Sequence, residues 1–243
     1  MNNLKQEDKE ISQKSESILN ARLRRRSFLQ YAGAGAAGVA LMAAGCSKDK
    51  DPVGPEEPPV VPIDETVSFG TGDNAVLNYA YALEQLEAAF YTKVVTSPWA
   101  GITATEKDYL TDIQLHEIAH REVLRNALGG NAIGGLTFDF SSIDFTKRDA
   151  VLATAMAFED LGVSAYNGAG YLFSSKDYLG LAAKIVSVEA RHAAFIREAI
   201  KPNSFAEVVV STAGMDTSRK PSEVWAIVAK YITNKINTST LPA

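Results

Sequence analysis

From Asn74 onward, apolar residues recur along the chain with a period near 3.6, which is the spacing of a helix with one buried face. The pattern predicts four long helices, which cover approximately residues 74–95, 103–128, 146–173 and 174–201. Residues that commonly end helices follow three of these segments, namely Ser97-Pro98, Gly129-Gly130 and Pro202. A shorter amphipathic segment over 221–236 predicts one more helix, and only 136–140 alternates weakly, as a strand would. The pattern therefore predicts an all-α domain.

The connections between these helices predict how they are arranged. Helices one and two, and likewise helices three and four, are joined by few residues, so each pair is expected to form an antiparallel hairpin. About 17 residues, 129–145, separate helix two from helix three. At about 3.3 Å per residue, such a link can run the full length of a bundle of about 30 Å. The expected fold is a four-helix bundle of two hairpins with one long crossover between helices two and three, plus a short C-terminal helix.

Residues 1–45 have a different composition and resemble an export signal. A basic cluster precedes an uncharged run of about 19 residues, which consists largely of small residues rather than the bulky ones of a typical membrane-spanning helix. Arg25 and Arg26, followed by Ser-Phe-Leu, resemble the twin-arginine export signature, which is an address read by a receptor. The residues that end at Cys46 resemble a lipobox, in which the cysteine becomes the lipidated first residue, although Ala43 stands where leucine is usual.

These features predict an exported lipoprotein with three parts. After removal of the signal peptide, 1–45, the mature chain would begin at lipidated Cys46 and be anchored in a membrane, facing the periplasm or the cell surface. Residues 46–69 are rich in proline and acidic residues and show no apolar period, so they are expected to form a disordered tether. The folded domain is expected over residues 70–243.

Charge and cysteine content narrow the possible functions. The chain has 24 basic and 29 acidic residues, a formal net charge of −5, so no basic surface indicates nucleic acid as a partner. Cys46 is the single cysteine, so neither an intramolecular disulfide nor a thiolate metal cluster can form.

The three histidines occupy positions that predict a different kind of metal site. His120 follows Glu117 by three residues in helix two, and His192 follows Glu189 by three residues in helix four. This spacing puts both side chains of each pair on one face of their helix. One glutamate from each of the other two helices would complete the pattern of carboxylate-bridged dimetal bundles.

Helices one and three supply those glutamates. Glu84 precedes Tyr91 by seven residues and Glu159 precedes Tyr166 by seven, so each pair shares one inward column of its helix. We expect Glu84 and Glu159 to be terminal ligands, and both tyrosines to form hydrogen bonds with ligands. Glu87 lies one turn after Glu84 and is the alternative ligand from helix one.

Glu117 and Glu189 are expected to bridge two metal ions, and His120 and His192 to supply one nitrogen ligand each. Four carboxylates balance the charge of two divalent ions, and oxygen-rich ligation with one imidazole per ion favours iron or manganese. The expected cofactor is therefore two metal ions, with iron as the first choice and manganese or a mixed pair as the alternative.

Four segments around these residues resemble the ferritin-like domain family, and most closely its desiccation-related branch, which is often found as exported bacterial proteins. They are Leu83–Tyr91, His116–His120, Glu159–Gly168 and Val188–His192. The resemblance covers about residues 70–236 and implies a ferritin-like four-helix bundle with a di-iron or iron–manganese site. Analogy with ferroxidases and dimetal oxidases suggests an oxidoreductase with dioxygen or peroxide as a partner, but it implies no particular substrate.

Two other functions fit parts of the sequence. His116, Glu117 and His120 match the zinc-peptidase motif, in which both histidines bind zinc and the glutamate acts as a general base, but this leaves Glu84 and Glu159 unexplained. In the dimetal interpretation, His116 lies on the adjacent helix face and either contacts a ligand or merely packs. A structural or stress-protective lipoprotein whose site does not turn over is a further alternative. The oligomeric state stays open, and a dimer is compatible with a bundle.

Overall fold

The four long helices form the bundle that the pattern predicts, with ends close to the expected ones. In the computed structural model, which describes residues 58–207 and 209–243, five α-helices occur. They are α1 Gly72–Thr96, α2 Ala104–Leu128, α3 Arg148–Ala169, α4 Lys176–Ile200 and the short C-terminal α5 Pro221–Val228. The expected export signal, with Arg25 and Arg26, and the expected lipidation site Cys46 lie outside the described residues. None of the described helices is long and apolar enough to span a membrane.

A capping box explains where α2 begins, and the side chain of Arg148 joins this end to the ends of two other helices. Thr103 accepts a hydrogen bond from the backbone N–H of Glu106 at 3.1 Å, and the Glu106 carboxylate accepts one from the N–H of Thr103 at 3.0 Å. The same carboxylate receives the Nε–H of Arg148 at 2.6 Å, and Arg148 also donates to the carbonyl of Ala199 at 2.9 Å. Arg148 therefore connects the start of α2, the start of α3 and the end of α4.

The long crossover between α2 and α3 is fixed to the bundle by aromatic packing. Phe90 of α1 is fully buried, and its ring lies 5.1 Å from that of Phe158 of α3 and within 6.0 Å of those of Phe140 and Phe145 in the crossover. Since α1 packs closely on α2 and α3 on α4, this aromatic cluster joins two antiparallel hairpins.

Two short segments of extended chain pair outside the bundle. Strand β1, Thr66–Val67, lies parallel to β2, Lys235–Ile236, and neither strand was expected from the sequence. The weak alternation over 136–140 corresponds only to an isolated bridge between Phe138 and Ile232. Two-residue strands are too short to produce a recognisable period of two.

The sequence predicts that the folded domain starts at residue 70, but in the structure it starts earlier. Residues 58–69 lie against the bundle, and the backbone of Gly135 in the crossover exchanges hydrogen bonds of 2.8 Å with Pro59 and Val61. Phe69 is fully buried, and its ring lies 5.3 Å from that of Trp225 in α5. The prediction of a disordered tether is wrong for residues 58–69. The composition of this segment is rich in proline, and its apolar residues are too few to show a period.

Candidate metal centre

Six polar side chains meet in the middle of the bundle, and they are the six that the spacing selected. Two come from single positions on α1 and α3, and four come from the Glu-x-x-His turns of α2 and α4. The four carboxylates have no exposed surface at all. The six residues are Glu84, Glu117, His120, Glu159, Glu189 and His192.

The six side chains form two overlapping groups, in each of which the ligand atoms lie within 4.8 Å of one another. The first group consists of Glu84, Glu117, His120 and Glu189. The second group consists of Glu117, Glu159, Glu189 and His192. Glu117 and Glu189 belong to both, which is the position that a bridging carboxylate would occupy between two ions.

The two imidazoles have matching surroundings. Nδ1 of His120 lies 2.8 Å from Oε1 of Glu189 and 3.5 Å from Oε2 of Glu84. Nδ1 of His192 lies 2.8 Å from Oε1 of Glu117 and 3.4 Å from Oε2 of Glu159. Each Nδ1 therefore lies closest to a carboxylate shared by both groups and also near the one that belongs to its own group, while Nδ1 of His120 is in addition 3.5 Å from Oε2 of Glu117.

The inward-facing atoms lack hydrogen-bond partners, although they are buried and close together. This holds for Oε2 of Glu84 and of Glu159, both oxygens of Glu117 and of Glu189, and Nδ1 of both histidines. Buried polar atoms are almost always hydrogen-bonded, so eight such atoms facing one another need another partner. Two cations would satisfy all of them, and the donor set of carboxylate oxygens and imidazole nitrogens fits iron or manganese.

Tyrosine hydroxyls bind the remaining oxygens of the two terminal glutamates. The hydroxyl of Tyr166 on α3 donates to Oε1 of Glu84 on α1 at 2.5 Å, and Tyr91 on α1 donates to Oε1 of Glu159 on α3. Each tyrosine thus crosses to the other hairpin instead of binding the glutamate of its own helix. These bonds orient the second carboxylate oxygen towards the cluster.

The sequence profile of the ferritin-like domain matches residues 72–202, which is more than half of the chain and contains α1 to α4. The chain belongs to the ferritin-like domain family. The family prediction is confirmed at this level, and its desiccation-related branch stays a prediction. No curated protein shows a significant match to this chain.

Burial and mutual repulsion control protonation in this ferritin-like centre. Burial, followed by repulsion from Glu117 and Glu84, holds the pKa of Glu189 well above its usual value, and burial raises that of Glu84 to about 7. Burial would also raise the pKa of Glu117, but His120 and His192 lower it to about 2. Against the effect of burial, neighbouring carboxylates raise the pKa of His192 to about 11. Metal ions would therefore have to displace protons from several of these groups.

Glu87 lies beside the cluster but belongs to neither ligand group among the described residues. Glu87 is buried, with 3% of its surface exposed. Burial and repulsion from the four cluster carboxylates hold its pKa well above the usual value. The geometry therefore favours Glu84 over Glu87 as the ligand from α1, as the seven-residue repeat predicts.

His116 is half-buried on the outer side of His192. Its Nδ1 lies 2.9 Å from Nε2 of His192, and the two rings are nearly parallel, with centroids 5.2 Å apart and an angle of 9° between their planes. Burial and the neighbouring histidines lower the pKa of His116, so its neutral ring can accept a hydrogen bond from the Nε2–H of His192. This contact directs Nδ1 of His192 towards the cluster. Among the described residues, His116 belongs to neither group of possible ligands, so the geometry does not favour the zinc-peptidase arrangement.

We expect Glu189→Gln to prevent binding of two ions while leaving the metal-free domain as stable as wild type, or more stable, at neutral pH. Because the pKa of Glu189 is raised in the folded state, the folded chain binds more protons than the unfolded chain between the two pKa values. Stability of the metal-free wild type therefore falls as pH rises through this window, whereas glutamine does not titrate. The free energy of unfolding of the variant should exceed that of the wild type by a difference that grows by at most about 1.4 kcal/mol per pH unit.

The measurement is urea unfolding of the metal-free chains at several pH values from about 5 to 8, together with the metal content of the loaded chains. Glu65→Gln, at an exposed position near the start of the domain, is the control for loss of one charge. A Glu189→Gln variant that still holds two ions per chain would refute the ligand assignment.

We expect His116→Ala to weaken binding of the ion next to His192 by about 10- to 100-fold, because the ligating ring loses the partner that orients it. Binding next to His120 should change much less. His116→Gln, which can still accept a hydrogen bond, should recover part of the loss. Calorimetric titration of the metal-free chains with manganese separates the two affinities, and equal weakening of both would contradict a specific contact with His192.

Proposed function

We propose that this ferritin-like protein holds a carboxylate-bridged pair of metal ions, with iron as the first choice, and oxidises ferrous ion or another small reductant with dioxygen or peroxide. The observation that carries the proposal is the set of eight buried atoms without hydrogen bonds, which lie in two ligand groups that share Glu117 and Glu189. A site built only for stability would satisfy these atoms internally, because buried polar groups without partners are costly.

The side chains have distinct tasks in such a centre. Glu84 and Glu159 would each bind one ion with the oxygen that is not bound to tyrosine. Glu117 and Glu189 would bind both ions, so that four negative charges neutralise two divalent ions in a buried volume. The two metal ions would supply the redox chemistry, since iron and manganese ions each change oxidation state by one electron. The surrounding apolar residues exclude bulk water from the reacting groups.

Two observations count against a peptidase. Both oxygens of Glu117 face the cluster, where neither is free to activate water for attack on a peptide. His116 contacts His192 instead of sharing a ligand group with His120. A structural or protective role without turnover is left as an outcome of the experiment below.

We expect the metal-free full chain to bind two ferrous ions and to consume dioxygen when they are added in air. Glu189→Gln should lose both properties, and Glu65→Gln should keep both. The measurements are metal per chain by elemental analysis and dioxygen uptake with an oxygen electrode. Two bound ions without dioxygen uptake would refute the oxidase and favour a protective metal protein. One zinc ion per chain with peptide cleavage that Glu117→Gln abolishes would favour the peptidase.

We further propose that the protein leaves the cytoplasm by the twin-arginine route and is anchored by lipid on Cys46. The support is the Arg25-Arg26 pair before an uncharged run and the position of the only cysteine. The mass of the membrane-extracted chain should show an acylated N-terminal cysteine and no residues 1–45. Cys46→Ser should release an unacylated chain from the membrane. A full-length chain with unmodified Cys46 would contradict this proposal.

A further inference from the structure

A cleft lies between the α3–α4 hairpin and the segment that leads from α4 to α5, and none of the six cluster residues lines it. Its cavity volume is about 200 Å³, which is the space of about seven water molecules in the liquid. Helix α4 contributes three alanines to the lining, and α3 contributes Val163 and Asp160. The connecting segment contributes Phe205, Asp216 and three further apolar residues. The cleft is therefore apolar with two acidic groups.

Hydrogen bonds to both helices hold the connecting segment in position. Near its start, Nη1 of Arg197 on α4 donates to the carbonyl of Glu207 at 2.9 Å, and the hydroxyl of Ser204 donates to the carbonyl of Arg197 at 2.9 Å. Near its end, Arg219 donates from its backbone N–H to the carbonyl of Ser164 on α3 at 3.0 Å and from Nη1 to the hydroxyl of Ser164 at 2.7 Å. The walls of the cleft are thus fixed on both sides of the space.

The charge of the lining is negative. Asp216 is exposed, and its Oδ1 accepts the backbone N–H of Thr217 at 2.6 Å, which leaves the carboxylate able to accept further hydrogen bonds. Asp160 is bound by Arg197, whose Nε lies 3.0 Å from Oδ1 and whose Nη2 contacts Oδ2. Neither Arg197 nor Arg219 is part of the lining. A ligand in the cleft would therefore meet Asp216 as a charge that is open to solvent.

Phe205 adds an apolar surface to the same cleft. The residue is 64% exposed although it lines a cavity, and Val210, which also lines the cavity, is 39% exposed. Removing such surface from water is favourable, and the face of an aromatic ring attracts a cation. An occupant with an apolar body and a positive group would use both properties.

We propose that this cleft binds a small organic cation, namely a primary amine with an apolar body and about seven to nine non-hydrogen atoms in all. The body would fill the space between the alanines of α4 and Phe205, and the ammonium group would lie at the carboxylate of Asp216. The sign of the charge selects this class, because an anion of the same shape would be repelled by Asp216. The site is separate from the metal cluster, so it does not depend on the proposed metal pair.

A second cavity, of about 260 Å³, fits such a role less well. It lies between the start of α1 and residues 239–243. Its lining contains neither a charged nor an aromatic side chain, so it offers nothing that would select one class of ligand.

The test compares three probes that share one ring, namely cationic benzylamine, neutral benzyl alcohol and anionic benzoate. Each is titrated calorimetrically into the full chain with a chelator present, so that the amine cannot bind a metal ion. We expect benzylamine to bind with a Kd of about 1 mM or lower. Benzyl alcohol should bind about tenfold more weakly, because it cannot form a charged hydrogen bond, and benzoate more weakly still.

Two variants locate the binding site. Asp216→Asn keeps the shape and the acceptor for Thr217, so it should weaken benzylamine binding about 5- to 10-fold and leave benzyl alcohol binding unchanged. Glu207→Gln removes an exposed acid of the same segment that lies outside the lining, and it should bind benzylamine as wild type does. Ala206→Leu fills the cavity, so it should weaken binding of both probes.

Equal affinity for benzylamine and benzyl alcohol, or wild-type benzylamine binding in Asp216→Asn, would overturn the selection of a cation. No binding of benzylamine up to about 10 mM, or unchanged binding in Ala206→Leu, would overturn the site itself. If Ala206→Leu fails to fold, Phe205→Ala, which shortens an exposed side chain of the lining, takes its place and should likewise weaken binding of both probes. Failure of the wild-type chain to bind two metal ions would refute the proposed function and leave this inference standing.

Discussion

Four buried carboxylates that face one another cannot all carry a negative charge unless cations compensate for it. The architecture of this domain follows from that constraint. The bundle brings one glutamate from each helix to the same level, where two histidines provide partial compensation. Eight atoms are still left without hydrogen bonds. The metal-free cluster must therefore hold protons, which a pair of divalent ions would replace.

The surrounding packing holds the cluster in place in spite of this cost. Phe90 joins both hairpins to the crossover, and the neighbouring residue Tyr91 reaches from α1 to bind Glu159 on α3. Tyr166 makes the reciprocal bond to Glu84, so the two tyrosines connect α1 with α3, which belong to different hairpins. The contact between α1 and α3 is thus held by polar connections at the cluster.

The ligand positions could be predicted because they depend on local geometry, whereas the start of the folded domain and the packing around the cluster depend on contacts between residues that are distant in sequence. The spacing of three residues fixes Glu117 and His120 on one face of a helix whatever surrounds it. The role of Phe69 depends on α5, more than 150 residues away, and no local period records it. Gly162 lies three residues after Glu159, which is a detectable signal, but only the structure shows that the carboxylates of Glu87 and Glu189 approach this glycine so closely that a Cβ would lie 3.1 and 3.4 Å from their oxygens.

Anomalous X-ray diffraction from crystals of the metal-loaded chain tests the central claim most directly. We expect two peaks about 3.5–4 Å apart, the usual separation in two-metal sites. Each should contact Nδ1 of one ligand histidine, His120 or His192, and both should contact Glu117 and Glu189. A single peak bound by His116 and His120, or metal bound only at the surface of the domain, would contradict the account.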